Sequence, residues 1–165
     1  MRTDTPEILS LCEHLALALK SRGWMMATAE SCTGGLIAAS CTSLSGSSDW
    51  FERGFVTYSN AAKADMLGVP AELITAHGAV SEEVARAMAL GALAHSKAQV
   101  SLAVTGIAGP TGGSPDKPVG TVWFGWAVQG QAWTERLRFE DDRDAVRAAT
   151  VEHALRGLLG RLTES

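Results

Sequence analysis

The fold of this chain is decided by residues 24–35, where an apolar run passes into a glycine-rich turn: Trp24-Met25-Met26-Ala27-Thr28-Ala29-Glu30-Ser31-Cys32-Thr33-Gly34-Gly35. The apolar run predicts a strand over 24–29, and an amphipathic helix pattern begins at Leu36. A strand-to-helix turn places a hydroxyl or thiol beside the free N–H groups of the helix start, which favour an anion or an oxyanion. The sequence therefore predicts a binding or catalytic site at this turn.

Helix-like and strand-like segments alternate along the rest of the chain. Apolar spacing predicts four principal helices, over 6–21, 33–42, 81–95 and from Asp142 onward. Composition predicts further strands over 53–58 and 100–104, and a hairpin whose two runs are 119–128 and 131–139. The chain is therefore expected to form one domain over residues 1–165, an α/β/α sandwich with a mixed, mostly parallel sheet and a C-terminal hairpin.

Composition excludes several classes of protein. No apolar run approaches the roughly 18 residues that cross a bilayer, so we expect no membrane segment and a cytoplasmic location. The net charge of −4 argues against nucleic-acid binding. The 3 cysteines and 4 histidines lack metal-ligand spacing, which predicts no disulfide framework and no metal. We expect no cofactor either.

Ser31 is the first candidate for chemistry. A serine becomes a nucleophile when a base takes its proton, and the following helix start could hold the oxyanion. Plain N-capping by Ser31 or Thr33 is the common alternative use of such residues. Cys32 is a rival nucleophile, although a free cysteine is more often a small buried apolar residue.

Lys63 is the candidate base, with Tyr58 as its assistant. Both follow the strand predicted over 53–58, at the edge of the sheet where α/β folds bind their ligands. A desolvated lysine can lose its proton near neutral pH, and Tyr58 could relay that proton or hold the amine. An exposed helix-surface lysine is the simpler interpretation. Ser48, in a Gly/Ser loop, is either a flexible loop residue or a second hydroxyl that reaches towards Lys63.

A second glycine-rich turn, Thr105–Gly113, follows the apolar strand over 100–104. Its backbone N–H groups could hold a phosphate, although it matches neither a P-loop nor a dinucleotide fingerprint. Arg143 could meet a phosphate or carboxylate, and an ion pair with Glu140 or another acidic neighbour is an equally good interpretation. The simplest alternative for the turn is a connection ahead of the hairpin.

The order of these motifs resembles that of a known family. The motifs are Ala29-Glu30-Ser31-Cys32-Thr33-Gly34-Gly35, Gly46-Ser47-Ser48-x-Trp50-Phe51, Tyr58-Ser59-Asn60-x-x-Lys63, His77-Gly78-Ala79-Val80-Ser81 and Thr105-Gly106-Ile107-Ala108-Gly109-Pro110. Together they resemble the CinA C-terminal domain family over essentially the whole chain. Larger members of that family carry an additional N-terminal domain, so this chain resembles the stand-alone form.

The resemblance implies hydrolysis of the amide of nicotinamide mononucleotide to nicotinic acid mononucleotide and ammonia, without metal, in pyridine-nucleotide recycling. It assigns catalysis to Ser31, Tyr58 and Lys63, with Ser48 as a further candidate. We assign substrate binding to the turns and one arginine: Glu30, Thr33, Gly34, Gly35, Thr105, Gly106, Gly109 and Arg143. A non-catalytic, competence- or damage-associated protein-binding module is the alternative, and hydrolysis of another nucleotide or amide is a third option.

The quaternary state is a separate expectation. Three of the 5 tryptophans, Trp123, Trp126 and Trp133, lie in or near the predicted hairpin. An exposed aromatic cluster there would suit a subunit interface, although core packing is the more usual explanation. We expect a homo-oligomer that takes a small nucleotide substrate.

Overall fold

The computed structural model describes residues 3–163, and this range contains six α-helices, one 3₁₀ helix and five strands. The helices are α1 (Pro6–Arg22), α2 (Leu36–Thr42), α3 (Asn60–Leu67), α4 (Ala71–His77), α5 (Glu82–Ala94) and α6 (Arg143–Thr163), and the 3₁₀ helix spans Ser47–Asp49. The strands are β1 (Met26–Glu30), β2 (Phe51–Val56), β3 (Val100–Gly106), β4 (Thr121–Val128) and β5 (Gln131–Arg138). None of the helices over this range is long and apolar enough to span a membrane.

The strands form one mixed sheet in the order β2-β1-β3-β4-β5. Strand β1 pairs in parallel with β2 and β3, whereas β4 is antiparallel to both β3 and β5. The predicted mixed sheet and C-terminal hairpin are therefore confirmed. Because Glu30 is in register with Val56 and Val104, the carboxyl ends of β1, β2 and β3 meet at one edge of the sheet. The strand order reverses here, since β2 and β3 lie on opposite sides of β1.

Two apolar cores lie on opposite faces of the sheet, which confirms the predicted α/β/α sandwich. Alternate residues of β1 divide between them, with Met26 in one core and Ala27 and Ala29 in the other. The first core joins the sheet to α1, α2 and α6, and the second joins it to α3, α4 and α5. Both faces of β1 are covered, so the strand is buried along its whole length.

The strand predicted over 24–29 begins two residues later than expected, and the strand predicted over 53–58 lies two residues earlier. The N–H of Trp24 donates to the Leu19 carbonyl and closes α1, so β1 begins at Met26 rather than at position 24. The predicted strand 53–58 is observed as Phe51–Val56. It ends early because the carbonyls of Thr57 and Tyr58 both accept hydrogen bonds from the Lys63 amine.

The three tryptophans of the hairpin have different environments. Trp126 is fully buried, stacks on Phe124 at 5.7 Å between ring centroids and donates its indole N–H to the Ala154 carbonyl. Trp133 packs against the same core. Trp123 is only partly buried and lines a cavity. Core packing therefore accounts for Trp126 and Trp133, and a homo-oligomer stays a prediction.

The start of α2 is capped by the buried carboxylate of Glu30. Its Oε1 accepts from the Thr33 hydroxyl at 2.5 Å and from the N–H groups of Ile37 at 2.9 Å and Gly35 at 3.3 Å, while Oε2 accepts from Ala38 N–H at 3.0 Å. The orphan N–H groups and the positive dipole end of α2 are thus satisfied from inside the protein. This corrects the prediction that the helix start binds an external anion and that Glu30 binds substrate.

Thr33, Gly34 and Gly35 build the turn rather than line a cavity. The two glycines have φ angles of 58° and 109°, a left-handed conformation that a side chain would strain. Thr33 is fully buried, with its hydroxyl on the Glu30 carboxylate. The Thr33 hydroxyl and the Gly35 N–H serve the Glu30 cap, and a contact of this turn with substrate stays a prediction.

The Glu30 cap predicts a specific loss of stability. Glu30→Gln replaces one acceptor oxygen by an amide that donates, so at least one buried N–H of α2 loses its partner. We expect the free energy of unfolding in urea to fall by about 2 kcal/mol or more. The control Glu72→Gln changes an exposed carboxylate in the first turn of α4, where a change within about 0.5 kcal/mol is expected. Equal effects of the two variants would contradict the capping role.

Two glycines of α6 form a matched pair for packing. A Cβ on Gly157 would overlap the ring of Trp126, whereas a Cβ on Gly160 would meet nothing within 4 Å. Gly157→Ala should therefore lower the free energy of unfolding by about 1–3 kcal/mol through overpacking. Gly160→Ala should raise it by about 0.5–1 kcal/mol through helix propensity. Urea titration of both variants tests the sign, and a stabilising Gly157→Ala would disprove the close contact.

Candidate active site

A cavity of about 240 Å³ opens at the carboxyl edge of β1, β2 and β3. We call it the edge cavity, and its lining residues are Ser31, Cys32, Tyr58, Asn60, Lys63, Ala79, Val80, Thr105, Gly106, Ala108 and Arg143. Four segments contribute these residues: the one after β1, the one after β2, the one before α5 and the one at the end of β3. The first residue of α6, Arg143, completes the lining. The parallel register of the central strands brings these segments together.

Ser31 and Lys63 form a hydrogen-bonded pair in this cavity. Ser31 is the first residue after β1, and its N–H donates to the Val104 carbonyl of β3. Lys63 lies one turn into α3, which begins at the N-cap Ser59. The Lys63 Nζ lies 3.1 Å from the Ser31 Oγ. A nucleophile and a base within hydrogen-bond reach are the minimum for covalent catalysis.

The Lys63 amine is buried among oxygen atoms and lacks a charged partner. Its side chain is 1% exposed, and Nζ donates to the carbonyls of Thr57 at 3.1 Å and Tyr58 at 3.3 Å. No carboxylate lies among the described residues that line the cavity. Burial lowers the pKa of Lys63, because removal from water penalises the ammonium form, and the nearby Cys32 thiol opposes the shift. The environment therefore favours a neutral amine.

Cys32 lines the same cavity and is kept unreactive by its burial. Removal of the thiol from water raises the pKa of Cys32 to about 12, so the nucleophilic thiolate is not formed near neutral pH. The guanidinium of Arg147 donates to the carbonyls of Cys32 at 3.1 Å and Thr33 at 3.2 Å. Arg147 therefore fixes the backbone immediately after Ser31, and the serine rather than the cysteine faces a base.

Tyr58 contacts the pair through its backbone rather than its phenol. Its carbonyl accepts from the Lys63 amine at 3.3 Å and from the Ser31 hydroxyl at 3.5 Å. The side chain is 63% exposed and lines the mouth of the cavity. Among residues 3–163 no hydrogen-bond partner is found for its hydroxyl. The interpretation in which Tyr58 holds the lysine fits this geometry, whereas a proton relay through the phenol has no contact to support it.

The second turn contributes one wall of the cavity. Thr105 and Gly106 line it directly, and the Thr105 hydroxyl donates to the Ala79 carbonyl at 2.9 Å. Gly109 does not line the cavity. Its carbonyl accepts from Arg143 Nη1 at 2.7 Å and so holds the guanidinium at the cavity wall. The predicted contact of Gly109 with substrate is thereby replaced by a role in orienting Arg143.

Ser48 lies at the other end of the sheet. It is an exposed residue of the 3₁₀ helix that precedes β2, and the adjoining Trp50 carbonyl accepts from Met26, the first residue of β1. The edge cavity lies at the opposite end of the same six-residue strand, roughly 20 Å away at 3.3 Å per residue. Within one chain Ser48 therefore does not line the edge cavity, and its catalytic role stays a prediction.

Sequence reasoning missed four lining residues, namely Asn60, Ala79, Val80 and Ala108. Asn60 is the first residue of α3 and was visible in the Tyr-Ser-Asn-x-x-Lys motif, where only the tyrosine and lysine received roles. Ala79 and Val80 belong to the quoted His-Gly-Ala-Val-Ser motif, to which no role was given. Their neutral side chains carry no chemical signal, so only their motif position could have indicated them.

A larger cavity of about 370 Å³ lies beside His77, Glu83, Lys117 and Trp123. It mixes acidic and basic groups, some of which pair within the protein. The Lys117 amine donates to the His77 carbonyl, and His77 faces Glu83 at 3.7 Å. The two described hydroxyls that line it are also engaged. Ser81 accepts from the Val84 N–H and caps α5, and Thr121 donates to the Pro118 carbonyl. The edge cavity is therefore the better candidate for an active site.

Comparisons with known proteins identify relatives that align with this chain over nearly its whole length. The chain is 54% identical to "Nicotinamide-nucleotide amidohydrolase PncC" of Escherichia coli strain K12, over 94% of both chains. It is 52% identical to the protein of the same name from Pseudomonas putida, over 95% of this chain and 98% of that one. A crystal structure of "competence/damage inducible protein CihA" from Agrobacterium tumefaciens superposes with a TM-score of 0.93, at 46% identity and with 96% and 97% coverage.

The family pattern described as "CinA C-terminal domain" matches residues 9–162, which include every residue of the edge cavity. The match covers far more than half of the chain, and the relatives align over nearly their whole lengths. The chain therefore belongs to the CinA C-terminal domain family.

Proposed function

We propose that this chain is a nicotinamide-nucleotide amidohydrolase that converts nicotinamide mononucleotide and water into nicotinic acid mononucleotide and ammonia. The names of two relatives with more than half of their residues identical support the activity. The observation that carries the proposal is the buried Lys63 amine, 3.1 Å from the Ser31 hydroxyl in a cavity. We assign Ser31 as nucleophile and Lys63 as general base.

The contacts around Lys63 define how its amine can act as a base. Nζ donates to the carbonyls of Thr57 and Tyr58 and to the Ser31 Oγ. The two carbonyls can only accept, so a neutral amine keeps both of those hydrogen bonds and turns its lone pair towards the Ser31 hydroxyl. We assign this neutral form to the base, because a buried ammonium would lack a counter-ion among the described residues of the cavity wall.

In the first half of the reaction, Ser31 Oγ attacks the carboxamide carbon while Lys63 takes the hydroxyl proton. The C–N bond of the tetrahedral intermediate then breaks, and Lys63 returns the proton so that ammonia leaves. The product is an ester between Ser31 and the pyridine carboxyl group. In the second half, Lys63 deprotonates a water molecule that attacks this ester, which releases the carboxylate and restores the serine hydroxyl.

The oxyanion is assigned to the backbone N–H groups directly after the nucleophile, those of Cys32 and Thr33. The N–H groups of Gly35, Ile37 and Ala38 already donate to Glu30 and are excluded from this role. One oxyanion donor typically contributes a factor of about 10²–10³ in rate. A rigid backbone after Ser31 would contribute to the rate by keeping these donors in place.

The rest of the substrate requires an anion site for its phosphate. Arg143 is the charged guanidinium in the cavity wall and is held by the Gly109 carbonyl, which supports its assignment to the phosphate. Thr105 and Gly106 line the same wall and are assigned to the polar part of the nucleotide. The proposed reaction runs entirely on these side chains and backbone groups.

One assay separates the proposal from its alternatives. Purified protein is incubated in parallel with nicotinamide mononucleotide, nicotinamide riboside and nicotinamide, and ammonia is measured. Ammonia from the mononucleotide alone supports the proposal. Release from the riboside or from free nicotinamide would point to a different amide substrate, and silence with all three would favour a non-catalytic binding module.

The paired roles predict a loss of turnover in single variants. Ser31→Ala and Lys63→Met should each lower kcat by about 10²–10⁴ while the circular dichroism spectrum is unchanged. The double variant should fall no further, because the two groups act as a unit. Lys20→Ala, an exposed lysine of α1, and Ser48→Ala should keep the wild-type rate. Full ammonia release by Ser31→Ala would reject this nucleophile.

The lowered pKa of Lys63 predicts the direction of the pH dependence. The protonated amine cannot accept the serine proton, so kcat/KM should rise with pH as Lys63 loses its proton. The midpoint should lie below the ordinary lysine value of about 10.4, because burial lowers the pKa of Lys63. Initial rates at saturating and subsaturating substrate from about pH 6 to 10 test this. A profile that falls over this range would contradict a lysine base.

A further inference from the structure

Tyr58 lines the edge cavity and has a largely exposed side chain. Its backbone is fixed by the hydrogen bond from Lys63, whereas the side chain is 63% exposed at the mouth of the cavity. Within residues 3–163, no other aromatic ring and no cation packs on it. A large side chain held at its base and open on its faces is suited to contact a ligand.

The chemistry of the remaining cavity wall explains what this ring can offer. Tyr58 is the one aromatic residue that lines the cavity, and no acidic side chain lines it in the described part of the chain. The charged group in the wall is the guanidinium of Arg143. A positively charged substrate group would therefore find no carboxylate here, and the π-face of Tyr58 is the complementary surface that is left.

The proposed substrate carries such a positive charge. The nitrogen of the nicotinamide ring is bonded to ribose, which makes the ring an aromatic pyridinium cation. A flat cation of this kind gains both from stacking on an aromatic ring and from the electrostatic attraction of its face. The carboxamide is attached to the same ring, so holding the ring beside Ser31 also sets the position of the reacting carbon.

We propose that Tyr58 recognises the pyridinium ring of the substrate through its aromatic face and that its hydroxyl takes no part in proton transfer. The inference rests on the proposed function for the identity of the substrate. It has a direct consequence for selectivity. The dihydronicotinamide mononucleotide carries the same amide, ribose and phosphate on a neutral, non-aromatic ring, and the enzyme should discriminate against it at Tyr58.

The experiment compares three proteins on these two ligands. In the Ser31→Ala background, which removes the attacking hydroxyl, calorimetry measures the Kd of each mononucleotide with Tyr58, Tyr58→Phe and Tyr58→Leu. Tyr58→Phe should bind both ligands as the parent does. Tyr58→Leu should raise the Kd of the pyridinium form about five- to thirtyfold, the factor for a cation–π contact of about 1–2 kcal/mol, and leave the dihydro form within about twofold.

Turnover by the same substitutions in the Ser31 protein separates recognition from proton relay. Tyr58→Phe should keep kcat and KM within about twofold, and Tyr58→Leu should act mainly on KM. A hundredfold loss of kcat in Tyr58→Phe would overturn the inference in favour of a relay. Equal weakening of both ligands by Tyr58→Leu would overturn it in favour of a merely structural residue.

The two readouts keep this inference distinct from the proposed function. If the wild-type protein releases ammonia and Tyr58→Leu binds the pyridinium form normally, the function stands and the role of Tyr58 fails. If no ammonia is released but the pyridinium form binds selectively through Tyr58, the role of Tyr58 stands and the proposed function fails. Failure of both ligands to bind any of the three proteins would overturn the two together.

Discussion

The burial of one lysine amine is the constraint on which the site depends. Lys63 enters from α3 and is almost completely removed from water, although no carboxylate in the cavity wall compensates its charge. Such a group is tolerable only where it can be neutral and fully hydrogen-bonded. The end of β2 supplies this environment, because the carbonyls of Thr57 and Tyr58 turn away from the sheet towards the amine. The third position of the amine faces Ser31, so the condition for burying the lysine also defines the reactive pair.

The buried carboxylate of Glu30 organises the segment that carries Ser31. It accepts hydrogen bonds from N–H groups at the start of α2 and from the Thr33 hydroxyl. These hydrogen bonds hold the glycine turn that follows Ser31 in place. Arg147 reaches from α6 to the carbonyls of Cys32 and Thr33 and fixes the same turn from the opposite side. The helix dipole is therefore used for internal rigidity. The proposed nucleophile Ser31 thus lies between the fixed glycine turn and the buried Lys63 amine. Substrate contacts are assigned to the second glycine-rich turn and to Arg143.

Much of the fold was predictable because it rests on local patterns. The apolar spacing of α1 and α6, the caps Ser59 and Ser81, and the hairpin of β4 and β5 were all readable from the chain. The site was partly predictable for the same reason, since Ser31 and Lys63 each follow a recognisable strand. Glu30, Ser48 and Gly109 were predicted as site residues but do not line the edge cavity of the chain, because their surroundings depend on segments far away in the sequence.

The sequence by itself determined the helices and strands, their layered arrangement and the presence of a serine and a lysine near the same sheet edge, because hydrophobic periodicity and turn chemistry act over a few neighbouring residues. Only the tertiary structure decided which polar groups meet. Strand order and register bring Ser31 to Lys63 and leave Ser48 at the far end, while the carboxylate of Glu30 turns inward to α2. These pairings join residues up to 32 positions apart, and their energies depend on burial that no local pattern encodes.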